Sequence, residues 1–433
     1  MNEVIVGIIG LGVLLAFFLT GIELAIAMIL VGFFGFGYLI SFEAAFSMMA
    51  KDVFDTFESY NLTVVPLFIL MGQVAFNAGI ARRLYDTAHK FIGHIPGGLA
   101  IATVAGATVF KAISGSSVAT AATFSSVAVP EMDRFGYSKK LSTGIVATVG
   151  TLGILLPPSV VLIIFGVITQ QSIGKLFMAG VIPGLLIALF FVFVIVGWCK
   201  IDPSVGPKGK KFSWKDRLFS LPEVIWPIVI FLVIIGGLLN GFFTPTEAGS
   251  VGTFAVIVLS FVKRDINLRK TAKSVLESLV TATMVLFLLA GSAVLGHFLA
   301  VTKIPMLVSD WVVQLPIHRS IIMFFVTLIY LIGGSFIDDL AFMILATPVF
   351  FPAVLKLGYD PLWFGMMIAV TVMIGVVIPP VAINVFVVKN ITKVPIGVVY
   401  RGVYPFLISL ILCGILLFVF PQLATFLPSL FYK

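Results

Sequence analysis

Apolar residues along this chain run in long unbroken stretches, not in the alternating or one-sided patterns of soluble strands and helices. A membrane-spanning helix takes roughly 20 mostly apolar residues. By that measure full-length stretches lie at 4–20, 22–40, 61–80, 140–168, 174–199, 223–241, 245–262, 275–300, 360–388 and 395–420. Two others, 98–130 and 319–352, are each an apolar arm, a Gly/Ser-rich centre and a second arm, with centres Ser114-Gly115-Ser116-Ser117 and Gly333-Gly334-Ser335. This predicts re-entrant hairpins with tips at mid-membrane, since irregular backbone at that depth survives only inside protein or beside a water-filled cavity. The first stretch lacks a basic flank and a small-residue cleavage site, so it is expected to be a helix and not a removed signal.

The chain also repeats itself. Displaced by 222 positions, Pro130, Pro157, Pro158 and Pro183 fall on Pro352, Pro379, Pro380 and Pro405, Gly136-Tyr137 on Gly358-Tyr359, and Gly153 on Gly375. The hairpin tips coincide once a three-residue insertion is allowed. Each Pro-Pro pair breaks the span that holds it, because proline has no N–H for the carbonyl four residues back. Five spans separate the starts of the broken helices, which predicts copies of opposite orientation. The expected fold is an all-α polytopic membrane protein with inverted-topology repeats, two re-entrant hairpins and two broken helices, the plan of many secondary transporters.

Residues 1–97 are expected to hold scaffold helices and an inner interfacial arm. Residues 98–200 form the first repeat (hairpin 98–130, broken helix 140–168, helix 174–199). Residues 201–300 hold a cytoplasmic basic loop and further scaffold helices. Residues 301–433 hold an outer arm and the second repeat (hairpin 319–352, broken helix 360–388, helix 395–420).

Composition agrees with a lipid-facing exterior. The 433 residues are 60% hydrophobic and 11% charged, against about 25% charged in a soluble domain. Soluble enzymes and nucleic-acid readers are thereby excluded. The net charge of +8 comes from short basic runs between apolar stretches. With the N-terminus outside, 20 of the 27 Lys and Arg residues fall on the inner side, as the positive-inside rule requires. Cys199 and Cys413, and the four histidines, have no metal-ligand spacing, and Gly206-Pro207-Lys208-Gly209-Lys210 is not a P-loop. ATP hydrolysis by that route is not expected, which leaves an ion gradient or another subunit as the energy source.

Binding chemistry is expected where helices break. Freed carbonyls coordinate Na⁺, and half-helix N-termini attract carboxylates. The breaks span Gly153 to Ser159, with Pro157, and Gly375 to Asn384, with Pro379. Ser116, Ser117 and Thr120 supply hydroxyls at the first tip, Ser335 and Thr347 at the second, and Asn384 an amide. Asp338 and Asp339, directly after the second tip, are costly at membrane depth and so are functional candidates. Asp338, nearer the tip, is the expected ion ligand, and its neighbour the cap of the following half-helix. Lys111, four residues before Gly115, has three readings: an aspartate partner, an anionic substrate, or snorkelling to the interface.

The run from Ala112 to Thr120 that closes at Pro130-Glu131-Met132 resembles the first-hairpin motif of the large membrane subunit of TRAP transporters, the tripartite ATP-independent periplasmic transporters. Gly153 to Ser159, Phe243-Thr244-Pro245-Thr246-Glu247-Ala248, and Gly375 to Asn384 resemble three further family motifs, in order. The resemblance implies a bacterial inner-membrane permease with an elevator-like movement and Na⁺ symport of an organic anion. Its implied partners are a small four-helix membrane subunit and a periplasmic substrate-binding protein. Carried over by position, Ser114, Gly115, Ser116 and Ser117 with Gly153 and Pro157 form one Na⁺ site. Gly334, Ser335 and Asp338 with Gly375 and Pro379 form the other. Ser159, Asn384, Thr120 and Lys111 are then expected to meet substrate, and Thr244 to Glu247 to be structural. The family usually has a small residue where Lys111 stands.

Two other readings remain at this stage: a self-sufficient anion/Na⁺ symporter or antiporter of the same plan, and an intramembrane enzyme. No Ser/His pair or metal-spaced histidines support the second.

Overall fold

The computed structural model describes residues 2–336 and 338–431, which are helical with connecting turns and contain no strand. The side chains of Leu19 and Asp339 lie outside the described residues, and so does the expected cap at Asp339.

Helices α1 (Glu3–Thr20) and α2 (Leu24–Leu39) pack together, joined through Gly21 at φ +77°. The amphipathic α3 (Phe42–Glu58) was not expected; its charged residues interrupt any apolar run of spanning length, and it starts where Ser41 accepts the Ala44 amide. After a 3₁₀ turn at Tyr60–Thr63 come α4 (Val64–Asn77) and the amphipathic α5 (Ile80–Ile92). Helices α6 (Gly98–Lys111) and α7 (Ser117–Arg134) pack on each other as a pair. Helix α8 (Lys139–Val149) tightens into a 3₁₀ turn at Gly150–Ile154, and helix resumes as α9 (Val160–Thr169). The break thus begins at Gly150, not Gly153. Pro157 and Pro158 withhold amides from the carbonyls of Gly153 and Ile154, and the turn before them tightens.

Then follow α10 (Ile173–Ile201), a short α11 (Trp214–Ser220), α12 (Pro222–Leu239) and α13 (Pro245–Val262). The 35-residue α14 (Leu268–Thr302) overruns the expected 275–300 at both ends and is roughly 52 Å long. Helix α15 (Ile304–Gln314) precedes the pair α16 (Arg319–Phe336) and α17 (Asp339–Lys356). Helix α18 (Pro361–Gly375) and α19 (Ile383–Thr392) flank the second break. Helix α20 (Ile396–Val419) and an unexpected α21 (Gln422–Phe431), packed on α10, complete the described chain.

Among the described residues seven helices are long and apolar enough to cross a membrane. The 18-residue α16 is one of them, although the sequence marks it as a hairpin arm. Helix α2, at 16 residues, falls short of that length.

Two sets of helices emerge. In one, α2 and α4 pack along α14, α13 lies on α4, and α12 on α13. In the other, α8 and α18 form the centre, buried at every residue from Leu141 to Val149 and from Trp363 to Gly375. Helix α20 crosses α8 at Gly144 and Gly402, where a Cβ on either would fall into the other segment's backbone.

The sequence repeat has a structural counterpart. Gly136 and Gly358 turn the chain at φ +75° and +76°, a region that favours glycine. Tyr137 accepts the Leu99 amide at 3.1 Å at the start of α6, and Tyr359 donates to Ser320 Oγ at 3.5 Å at the start of α16. The Pro157–Pro158 and Pro379–Pro380 bonds are both cis.

Candidate substrate site

Each paired-helix tip lies against one break. At the first, a Cβ on Gly115 would overlap the Pro158 carbonyl, so only glycine lets the tip approach this closely. Ser116 Oγ accepts the Ala119 amide at 3.1 Å and caps α7. The Ile154 carbonyl, deprived of its helical partner by Pro158, accepts the Ser159 hydroxyl at 2.6 Å, while Ser159 caps α9. At the second, the Gly334 carbonyl lies where a Cβ on Gly375 would make a tight contact, and the Val381 amide donates to the Ser335 carbonyl at 3.2 Å.

Asp338 is itself the cap of α17, its Oδ1 accepting the Ala341 amide at 3.1 Å. A carboxylate is favoured there because the helix N-terminus carries partial positive charge.

The first tip, the start of α9 and the start of α17 border a cavity of about 430 Å³. The first turns of α2, α7, α9 and α17 line it, through Leu24 and Ala25, Ser117 to Ala119, Val160 and Val161, and Leu340 and Ala341. Phe68, Gly72 and Gln73 of α4 and Thr281, Met284 and Leu288 of α14 complete its lining. N–H groups and dipole ends at the starts of α7 and α9 favour a negatively charged ligand, whereas the starts of α2 and α17 bring the carboxylates of Glu23 and Asp338 to the same wall. The apolar wall suits its carbon skeleton.

Of the residues expected to bind, Ser114, Gly115, Ser116, Ser117 and Asp338 line this cavity. Thr120, Gly153, Pro157, Ser159, Gly334, Ser335, Gly375, Pro379 and Asn384 are not on its wall. Asn384 reaches across to the first broken helix, where Nδ2 donates to the Ala147 carbonyl at 3.2 Å. Two oxygens near the junction, Ser114 Oγ and Asn384 Oδ1, are buried without a hydrogen-bond partner. Such oxygens fit a cation ligand.

Thr347, expected at the second tip, sits inside α17 and bonds the Met343 carbonyl and the Tyr330 hydroxyl. Lys111 neither lines the cavity nor snorkels. It is fully buried, and its ammonium donates to the Ser116 carbonyl at 2.7 Å and to Thr120 Oγ1.

Sequence reasoning missed Glu23, Gln73 and Thr281 on the cavity wall. Gln73 Nε2 donates to Glu277 at 2.5 Å, and Asn77 donates to the same oxygen at 3.0 Å. Polar residues inside apolar stretches were the available signal.

Paired helices meeting interrupted helices around a cavity define a multi-span membrane protein of transporter architecture. Its fold is similar to the Alcanivorax borkumensis YdaH transporter, with TM-score 0.64 at 13% identity, covering 88% of each chain. Residues 11–423 match the family described as "Tripartite ATP-independent periplasmic transporter, DctM component", and the chain belongs to that family. It is therefore a transporter permease of the bacterial inner membrane and not an enzyme.

A Pseudomonas aeruginosa protein named "C4-dicarboxylate TRAP transporter large permease protein DctM" is 36% identical over 382 residues, 88% of this chain and 89% of that protein. The "Isethionate TRAP transporter permease protein DctMQ" of Oleidesulfovibrio alaskensis is 32% identical over 96% of this chain but only 64% of its own length.

Proposed function

We propose that this chain is the large permease of a Na⁺-driven tripartite transporter that takes up an organic anion, a carboxylate above all. The helix starts of α7 and α9 at one cavity carry the reading, because they offer an anion fixed dipoles and N–H donors. Relatives named for C4-dicarboxylates and for isethionate, both organic anions, agree with it.

In this reading the coupling cations are held where each tip meets its break, by carbonyl and hydroxyl oxygens of the kind left unpaired at Ser114 and Asn384. The unit carrying the tips (α6–α9 with α16–α19) moves as an elevator against the wall formed by α4 and α14. The hairpins re-enter the membrane from opposite sides, the N-terminus is periplasmic and the basic loops are cytoplasmic. A small four-helix membrane subunit, whose counterpart fits the unmatched third of the fused relative, and a periplasmic binding protein complete the transporter.

Proteoliposomes holding this chain, the small subunit and the binding protein test the proposal. Uptake of the binding protein's ligand is expected to need an inward Na⁺ gradient and no ATP. Equal uptake with choline replacing Na⁺ would remove the coupling. Uptake by this chain alone would favour a self-sufficient symporter.

A further inference from the structure

Lys111 is a buried amine with no acidic side chain among its hydrogen-bond partners. Its ammonium is enclosed behind the first tip, held by one carbonyl oxygen (Ser116) and one hydroxyl oxygen (Thr120). Its stem lies along Gly153, and a Cβ at that position would overlap the ammonium itself. Three features meet here: oxygens presented by a tip, a glycine of the break that leaves room, and a single lysine amine between them.

Desolvating an ammonium costs several kcal/mol unless its surroundings return the interaction. Neutral carbonyl and hydroxyl oxygens are the ligands that a hard monovalent cation takes in such a place. We propose that the Lys111 ammonium is a tethered substitute for one coupling cation, so that the position between Ser116 and Thr120 behind the first tip is permanently loaded and only the other cation sites, the one at Ser114 included, fill from solution.

The inference rests on the Na⁺ coupling proposed above and gives it a stoichiometric consequence. Truncating Lys111 should empty a cage whose oxygens and space persist, and Na⁺ should enter it. The hydroxyl of Thr120, which also donates to the Ser116 carbonyl at 2.9 Å, keeps the cage ordered without the lysine.

The test needs no transported substrate. The purified full chain is heated in detergent across a series of NaCl concentrations, with choline chloride holding ionic strength constant. Lys111→Ala is expected to unfold at lower temperature than wild type without Na⁺. It should recover more steeply as Na⁺ rises, with a slope corresponding to one further bound Na⁺ per chain. Lys111→Met fills the space without charge and is expected to be destabilised with no such added response. Lys111→Ser, which brings its own hydroxyl, serves as a second opening variant.

A slope for both Ala and Ser variants equal to wild type overturns the proposal. So does failure of both to fold even at high Na⁺, because the cage should then be refilled. The broader coupling is judged separately: wild-type uptake indifferent to Na⁺ would discard that reading. Na⁺-driven wild type with unresponsive Lys111 variants would discard the tethered cation alone.

Discussion

The Asn384 carboxamide donates to the Ala147 carbonyl at 3.2 Å, joining the second interrupted helix to the first across 237 positions of sequence. A Cβ built on Gly150 would be 3.0 Å from Asn384 Nδ2 and equally close to the Ser117 carbonyl, so this amide sits where the first tip, the first break and the second repeat converge. Asn384→Leu keeps the branched shape and removes the donor. It is expected to cost about 1–3 kcal/mol of stability and to abolish uptake. Thermal unfolding and proteoliposome uptake together check this, and wild-type values in both would show the bond to be incidental.

Asp338 both caps α17 and brings a charge to the cavity, and two substitutions separate these roles. Asn caps as well as Asp, whereas Ala forfeits about 1 kcal/mol. Asp338→Asn is therefore expected to leave the unfolding temperature near wild type while raising the Na⁺ concentration for half-maximal uptake. Asp338→Ala should lose both. Unchanged Na⁺ activation in the Asn variant would assign Asp338 to capping alone.

Much of this was legible in the sequence because its signals are covalent. Proline has no N–H and glycine no Cβ, so Pro157-Pro158, Pro379-Pro380, Gly115 and Gly375 announce broken helix and close approach whatever surrounds them. The first tip and the breaks consequently lie close to their expected positions, whereas Gly333 to Ser335, expected at the centre of the second hairpin, are still helical at the end of α16. Helices α11 and α21 escaped notice because they are short, and α3 because its charged residues interrupt any apolar run. The partners of Lys111 and Asn384 were invisible for another reason: a span sequence names a polar side chain but not the backbone carbonyl that another segment turns toward it.

Gly72 on α4 faces the first tip, and a Cβ there would come 3.2 Å from Ser114 Oγ. Gly72→Ala is expected to slow uptake modestly, because the hydroxyl can yield by a few tenths of an ångström. Gly72→Val adds two further methyl groups beside the same contact, with an overpacking cost of about 1–3 kcal/mol. Uptake normalised to membrane-inserted protein reads the order, and equal rates in glycine, alanine and valine forms would place the moving contact elsewhere.

Thr244 and Glu247 form a reciprocal capping box at the start of α13. The Thr244 amide donates to Glu247 Oε2 at 2.8 Å, and the Glu247 amide donates to Thr244 Oγ1 at 3.2 Å. Thr244→Ala should lower stability by about 0.5–2 kcal/mol and leave the Na⁺ dependence of uptake unchanged. A shifted Na⁺ response would give this motif a role beyond structure.

The preference for negative charge at the cavity rests on main-chain amides at helix starts, which substitutions other than to proline leave in place. Exchanging side chains on the α4 and α14 wall can therefore retune the size and shape of an accepted cargo while its sign stays fixed. A lineage of such proteins is free to move from one acid to another without rebuilding the feature that admits acids at all.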